Sequence, residues 1–202
     1  MVLNKNIIYM CRDEEKDFNM LKNKKKINIV LLKEDIFIKI IKINKKENIS
    51  KILNENIEST FRYYEVLIHN EVIKVNGEKY LIIYFISYYN TLKKLISKTK
   101  NIEIKPYEFT SNFKNNKKDL SIIIRSFKET IYLVGMINKK IVYTKNFNDY
   151  EDINKSIYQC LDSLKEIFCI DKNFNISIDE TIYNEKLKDI TESIKIIKGK
   201  VS

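Results

Sequence analysis

Glycine is scarce in this chain. Only three of the 202 residues are glycine, and Gly77, Gly135 and Gly199 stand far apart. A loop that wraps a phosphate needs several glycines together, because consecutive backbone N–H groups must converge on one anion without interference from Cβ atoms. The sequence therefore lacks the Walker and Rossmann phosphate loops. This excludes the classes of nucleotide-binding enzyme that depend on these loops.

Histidine and cysteine are also too few for the common catalytic and metal sites. His69 is the only histidine, which excludes a His-rich metal site and limits catalysis that needs an imidazole base. Cys11, Cys160 and Cys169 are odd in number and show no C-x-x-C spacing, so neither a disulfide framework nor a zinc site is indicated. We predict no catalytic residues, no metal site and no enzyme activity. An enzyme with an unfamiliar nucleotide site remains a further alternative.

The net charge is positive. Lysine and arginine outnumber the acids by 37 to 27, a formal charge of +10. Such a charge suits a polyanion or an acidic membrane surface, but abundant Lys, Asn and Ile together are equally typical of an AT-rich coding sequence. A basic nucleic-acid-associated protein is therefore kept as the alternative function. No segment approaches the roughly 18 to 20 apolar residues of a membrane span, and we expect a soluble protein inside the cell.

Apolar runs of strand length, rich in β-branched residues, and turn signals predict most of the strands. INIVLL at 27–32 and IFIKIIKI at 36–43 are predicted to pair as a hairpin. Asn76-Gly77 is a strong turn signal, since both residues tolerate positive φ, and it predicts a second hairpin between residues 64–75 and 79–86. Residues 120–147 are predicted to form a three-stranded antiparallel meander.

Helical spacing and the C-terminal pattern complete the predicted elements. Helices are predicted at about 48–59, 88–99 and 150–168, and the last has Ile153, Ile157, Leu161, Leu164 and Phe168 on one stripe. The tail is predicted to contain a strand at 175–178, a helix near 180–190 and a strand at 194–197.

Residues 25 to 170 resemble a known family in the order of their segments. The run KKKINIVLLKEDIFIKIIKI is followed by a helix, the Asn-Gly hairpin, a helix, the loop IEIKPYEFTSN and the run SIIIRSFKETIYLVGMINKKIVYTKNF. This order resembles the PilM/GspL family, the actin-like cytoplasmic assembly proteins of type IV pili and type II secretion. The resemblance implies a mixed α/β fold with α+β character, built of shortened actin-like (ribonuclease H-like) subdomains. Residues 1–112 would form the N-terminal half, with an inserted β/α subdomain at about 45–105, and 113–202 the second half.

One stretch departs from the family pattern. Where the family carries isoleucine, aspartate, isoleucine and glycine in a phosphate-binding strand, this chain has Ile124-Arg125-Ser126-Phe127. Arg125 stands where a carboxylate would hold the metal-bound phosphate. The resemblance therefore implies that the ATP site is lost and that no cofactor is bound.

The resemblance also implies a function. Such proteins are non-enzymatic scaffolds at the inner face of the cell membrane, so the expected partner is the cytoplasmic tail of a bitopic inner-membrane pilus or secretion protein. The assembly ATPase is a second expected partner, and no specific nucleic acid is expected. An extended tail can add to an exposed sheet edge. The predicted contacts lie on the hairpin and the following loop: Tyr64, Val66, Ile68, Tyr80, Ile82, Tyr84, Pro106, Tyr107 and Phe109.

Overall fold

The structure, a computed structural model, combines strands and helices. It describes residues 7–10, 27–33, 36–44, 46–60, 66–87, 92, 102–105, 120–127, 130–147, 153–170, 175–179, 182 and 194–197. The first strands are β1 (Ile7–Met10), β2 (Ile27–Leu31), β3 (Phe37–Ile43), β4 (Leu67–Val75), β5 (Glu78–Ile86) and β6 (Ile102–Lys105). They are followed by β7 (Ser121–Phe127), β8 (Thr130–Ile137), β9 (Lys140–Phe147), β10 (Asn175–Asp179) and β11 (Ile194–Ile197). The described helices are α1 (Ile49–Thr60) and α2 (Ile153–Phe168).

The chain forms two compact units, and each is discontinuous in sequence. Unit 1 contains Met1–Ile36, Ser50–His69 and Phe85–Lys114; unit 2 contains Phe37–Ile49, Asn70–Tyr84 and Asn115–Ser202. The predicted boundary at 112/113 lies close to the end of the last segment of unit 1. However, β3 and most of the hairpin formed by β4 and β5 belong to unit 2, because they pack with its C-terminal elements.

Unit 1 contains a small parallel sheet. Its strand order is β1-β2-β6, with Ile8 opposite Ile29 and Ile29 opposite Ile104. Its core consists of Met10, Ile27, Ile29, Leu31 and Leu92. β2 is almost wholly apolar, which is typical of a strand that is covered on both faces of a parallel sheet.

The predicted hairpin between β2 and β3 is wrong. β2 pairs with β1 and β6, whereas β3 pairs with β5 in a separate sheet of order β3-β5-β4. Both runs are rich in β-branched residues, which favour a strand but do not specify the neighbour with which it pairs. Phe37, the first residue of β3, is 53% exposed.

The larger sheet of unit 2 has the order β11-β10-β7-β8-β9. β7, β8 and β9 form the predicted antiparallel meander, and β10 joins β7 and β11 in parallel. The predicted tail strands are therefore confirmed, while the helices predicted near 88–99 and 180–190 lie largely outside the described residues. The helix predicted at 48–59 is confirmed as α1, and its predicted apolar stripe is half-buried: Ile49, Ile52, Leu53 and Ile57.

Helix α2 packs closely on β8 because of a glycine. Its predicted stripe is buried in full, together with Cys160. A Cβ atom at Gly135 would lie 3.0 Å from Leu164 Cδ1 and 3.1 Å from Cys160 Sγ. A larger residue would therefore require these neighbouring side chains to shift by a few tenths of an ångström. The register between β8 and β9 also shifts at this glycine, between Gly135 and Met136.

Candidate partner-binding site

The hairpin that carries most of the predicted partner contacts turns at the predicted position. Asn76 has φ 50° and Gly77 has φ 85°, the pair of positive angles that defines a type I′ turn. A two-residue turn places Val75 opposite Glu78, and the pairs then continue along the two strands. In an antiparallel ladder, alternate residues direct both backbone polar groups at the partner strand, and the residues between them direct theirs away.

One face of β5 is occupied by other parts of unit 2. The Tyr80 ring meets the Phe168 ring edge-on at a centroid distance of 4.8 Å, and the Tyr84 hydroxyl donates to the Ile141 carbonyl at 2.9 Å. Ile82, between them on the same face, is fully buried. Burial raises the pKa of the Tyr84 hydroxyl, and the charge of Glu71 raises it further. These three predicted contacts therefore have interior side chains.

Two side-chain contacts, one ion pair and one amide hydrogen bond, connect β4 with the rest of unit 2. Glu71 forms an ion pair with Lys140 at the start of β9. The Asn138 side chain donates from Nδ2 to the Lys74 carbonyl at 3.0 Å. Asn138 and Lys139 have φ values of 50° and 65°, so the turn between β8 and β9 is also of type I′. The two turns are thus joined through side chains.

The first turn also caps helix α2. Asn76 Nδ2 donates to the carbonyls of Phe168 and Cys169 at 3.5 and 3.4 Å. The helix ends in a Schellman motif, since Cys169 has φ 50° and the Ile170 N–H donates to the Lys165 carbonyl at 3.1 Å. Helix carbonyls that would otherwise lack a partner are therefore satisfied at this end.

The outer edge of β4 remains available over part of its length. β4 is the last strand in the order β3-β5-β4, so no other described strand pairs with its outer side. The hairpin register directs the backbone groups of Ile68, Asn70, Val72 and Lys74 away from β5. The Lys74 carbonyl accepts from Asn138, which closes the edge at that point. Asn70 and Val72 are exposed, and Val72 keeps 44% of its surface in solvent.

The remaining predicted contacts divide into two groups. Val66, just before β4, and Ile68 within it are half-buried. Tyr64, Pro106, Tyr107 and Phe109 lie outside the described residues. Partner binding by the whole set stays a prediction. The edge residues Asn70 and Val72 were missed, because Glu71 between them is charged and Val72 is itself apolar, so this part of the strand has no regular alternation of polar and apolar residues.

The described residues contain no metal site and no membrane span. Within these ranges, no three His, Cys, Asp or Glu side chains gather closely enough to hold a metal ion. Neither α1 nor α2 is long and apolar enough to cross a bilayer. Arg125 lies in β7, opposite Tyr132 of β8.

No protein-family model matches this sequence, and no curated protein matches it. Solved structures are similar to it. One is a Bacteroides thetaiotaomicron protein with an actin-like ATPase fold and unknown function, with 16% identity and TM-score 0.46, covering 86% of this chain and 68% of that one. A second is the PilM-PilN type IV pilus biogenesis complex, with 12% identity and TM-score 0.43, covering 77% and 63%.

A third similar structure is the cytoplasmic domain of EpsL, an inner-membrane component of the Vibrio cholerae type II secretion system. It has 8% identity and TM-score 0.44, and the match covers 80% of this chain and 64% of that one. The chain thus spans less than two thirds of the pilus and secretion structures. At these identities and TM-scores the likeness carries no conclusion about activity or partners. The predicted mixed α/β class is confirmed, and the pilus and secretion proteins that the sequence resembles are among the similar structures.

Proposed function

We propose that this chain is a non-enzymatic scaffold that binds the cytoplasmic tail of an inner-membrane protein in a type IV pilus or type II secretion machine. One observation supports the proposal most directly: the outer edge of β4 directs backbone groups of Asn70 and Val72 away from its own sheet, and no other described strand pairs with them. The class of partner comes from the resemblance in the sequence. The scaffold would lie in the cytoplasm against the inner face of the membrane, where the assembly ATPase is a further partner.

The proposed binding mode is addition of a strand. An extended tail beside β4 would form main-chain hydrogen bonds with Asn70 and Val72, both in unit 2. These bonds supply affinity, and side-chain contacts set the register. Tyr64 and the loop residues Pro106, Tyr107 and Phe109 remain proposed contacts. Tyr80, Ile82 and Tyr84 would act indirectly, by holding β5 and hence β4 in place.

The proposal includes no nucleotide. The described residues fit a metal-bound nucleotide poorly, because β7 presents Arg125 and because no group of carboxylates in these ranges could hold the metal. A ligand that binds the folded state raises the melting temperature. We expect Mg-ATP at millimolar concentration to leave the melting temperature unchanged, and a clear rise would contradict this part of the proposal.

The binding site can be tested with two substitutions at one position. Labelled peptides from the cytoplasmic tails of pilus and secretion proteins of the source organism are titrated with the purified chain by fluorescence anisotropy. Val72→Pro removes an outward N–H and adds a ring to the edge, whereas the internal ladder keeps its bonds. We expect binding to weaken at least about tenfold, the equivalent of ~1.4 kcal/mol, since one backbone hydrogen bond and close approach are both lost.

Val72→Thr is the matched control. Threonine is also β-branched and keeps the backbone N–H, so its affinity should stay within about twofold of the unchanged chain. Circular dichroism and melting curves establish that both variants fold. Tail binding that Val72→Pro leaves intact would reject the edge of β4 as the site. If only nucleic acid binds, and steeply less as salt rises, the alternative of a basic nucleic-acid-associated protein is favoured instead.

A further inference from the structure

Three lysines lie in or close to the two type I′ turns. Lys74 and Lys79 are opposite each other in the hairpin register, two residues from the turn. Lys139 follows Asn138, whose side chain bonds the Lys74 carbonyl. All three side chains are exposed and belong to unit 2. We call Lys74, Lys79 and Lys139 the tip lysines.

The acids of the hairpin do not neutralise the tip lysines. β4 and β5 contain two carboxylates, Glu71 and Glu78, and the alternation of the strands puts both on the face opposite to Lys74 and Lys79. Glu71 pairs with Lys140, and Glu78 pairs with Lys42 at 3.3 Å. The outer face of the hairpin tip is therefore positively charged.

An apolar side chain lies next to this charge on the same face. Val72 precedes Lys74 by two residues, and successive residues of one face are two apart in a strand. A tail added beside β4 would therefore bring one side chain next to Val72 and another, two residues away, next to Lys74 and Lys79. The tail position next to Val72 favours an apolar residue, and the tail position next to Lys74 and Lys79 favours an acidic residue.

An antiparallel tail is favoured, because antiparallel strand pairs are slightly more stable per residue than parallel pairs. In an antiparallel pair, a hydrogen-bonded residue exchanges both its N–H and its C=O with one partner residue. Val72 and Asn70 can each do so, whereas the Lys74 carbonyl is already bonded to Asn138. In an antiparallel tail, the residue beside Lys74 precedes the residue beside Val72.

We propose that the tip lysines select a partner tail that adds antiparallel to β4 and carries an acidic residue two positions before an apolar one. This inference rests on the proposed function and names the chemistry of its partner. The ligand is recognised by main-chain bonds at the edge, by one apolar contact with Val72, and by the charge of the tip lysines.

Three blocked heptapeptides test the order of the acidic and apolar residues. The first probe is Thr-Glu-Thr-Val-Thr-Thr-Thr; the second is its reverse, Thr-Thr-Thr-Val-Thr-Glu-Thr; in the third, Gln replaces Glu of the first. Each is titrated with the full chain at low salt by anisotropy. The first should bind about 2- to 5-fold tighter than the other two, which corresponds to one exposed ion pair. The preference should shrink as salt screens the charges.

Variants of the chain test whether the tip lysines cause the preference for the first peptide. Lys74→Gln combined with Lys79→Gln should abolish it. The control pair, Lys46→Gln with Lys155→Gln, changes the net charge equally at two exposed sites elsewhere and should keep it. Equal binding of the forward and reversed probes, no detectable binding of the forward probe, or a preference that survives the Lys74/Lys79 variant would each overturn the inference.

Two outcomes separate this inference from the proposed function. If natural tails lose affinity with Val72→Pro but the forward probe shows no preference, strand addition stands and the charge selection fails. If natural tails bind regardless of Val72→Pro, the proposed site itself fails. Vesicles of phosphatidylserine and phosphatidylcholine test the other source of negative charge. Vesicle binding that depends on Lys74 and Lys79, without a peptide preference, would overturn the inference in favour of a lipid surface.

Discussion

β4 and β5 are equal in length and joined by a two-residue turn, but they differ in burial. β5 is buried on both faces from Tyr80 to Phe85, whereas β4 exposes Asn70, Val72 and Lys74 along one face. The sheet order explains the difference, because β5 lies between β3 and β4 and has no free edge. β5 therefore stabilises the unit, while β4 retains backbone groups that a partner could use.

The largest expected effect is on the free energy of unfolding, when truncation of a core residue of β5 is compared with truncation of an exposed residue of β4. Ile82→Ala should lower the free energy of unfolding by about 2–5 kcal/mol, because it removes buried methyl groups and leaves a cavity. Val72→Ala should lower it by less than about 1 kcal/mol, since valine there is half in solvent. Urea unfolding of both variants measures the difference. Equal losses would contradict the contrast between the two strands.

A smaller effect is expected at Tyr84, which links β5 to β9. Tyr84→Phe should lower the free energy of unfolding at pH 7 by about 0.5–1.5 kcal/mol, through loss of the hydrogen bond to the Ile141 carbonyl. Urea unfolding at neutral pH measures this loss. An unchanged unfolding midpoint would show that the hydroxyl does not contribute to stability.

The same residue gives β5 a pH dependence that β4 should not share. Burial, followed by the charge of Glu71, raises the folded-state pKa of Tyr84 above the ordinary tyrosine value of 10.0. The neutral hydroxyl then contributes its full stability below about pH 10, and that stability is lost as the pH rises and the unfolded chain ionises. The loss approaches about 1.4 kcal/mol per pH unit for one proton.

Urea unfolding at pH 8 and at pH 11 tests whether stability falls as the pH rises. Tyr84→Phe should make the alkaline loss of stability shallower, while Val72→Ala should leave it unchanged. Tyr80, Tyr143 and Cys160, whose pKa values burial also raises, account for the loss that remains. An identical alkaline slope with and without the Tyr84 hydroxyl would contradict the assignment.

The smallest expected effects compare the two turns. A Cβ atom at Gly77 would meet nothing within 4 Å, so Gly77→Ala should destabilise by about 1 kcal/mol through its positive φ alone. Lys139 holds φ 65° in the second turn, so Lys139→Gly should stabilise by at most about 0.5–1 kcal/mol. Melting temperatures should move in opposite directions. A shift of the same sign in both variants would show that backbone strain does not govern these turns.

Local patterns predicted the elements better than their partners. The apolar stripe of α2 and the turn at Asn76-Gly77 were predicted correctly, because helical spacing and positive φ are properties of neighbouring residues. The pairing of β2 with β3 was predicted wrongly, because β-branched runs suit any sheet. Tyr80 was predicted to contact a partner, and its burial against Phe168 could not be inferred from residues so distant in sequence.

The candidate site shows the same limit. Its strand was predicted, but its edge was not, since a strand is internal or terminal only by virtue of its neighbours. The bond from Asn138 to the Lys74 carbonyl, which closes one end of the edge, joins residues of two different hairpins.

Residue type and short-range spacing were enough to predict most of the strands, the two described helices, the positive charge and the lack of glycine-rich phosphate loops. Which face of the hairpin is buried, and which of its edges has no described neighbouring strand, followed only from the folded structure. Those properties depend on contacts such as Tyr80 with Phe168 and Tyr84 with Ile141, which form between segments that the chain brings together only when it folds.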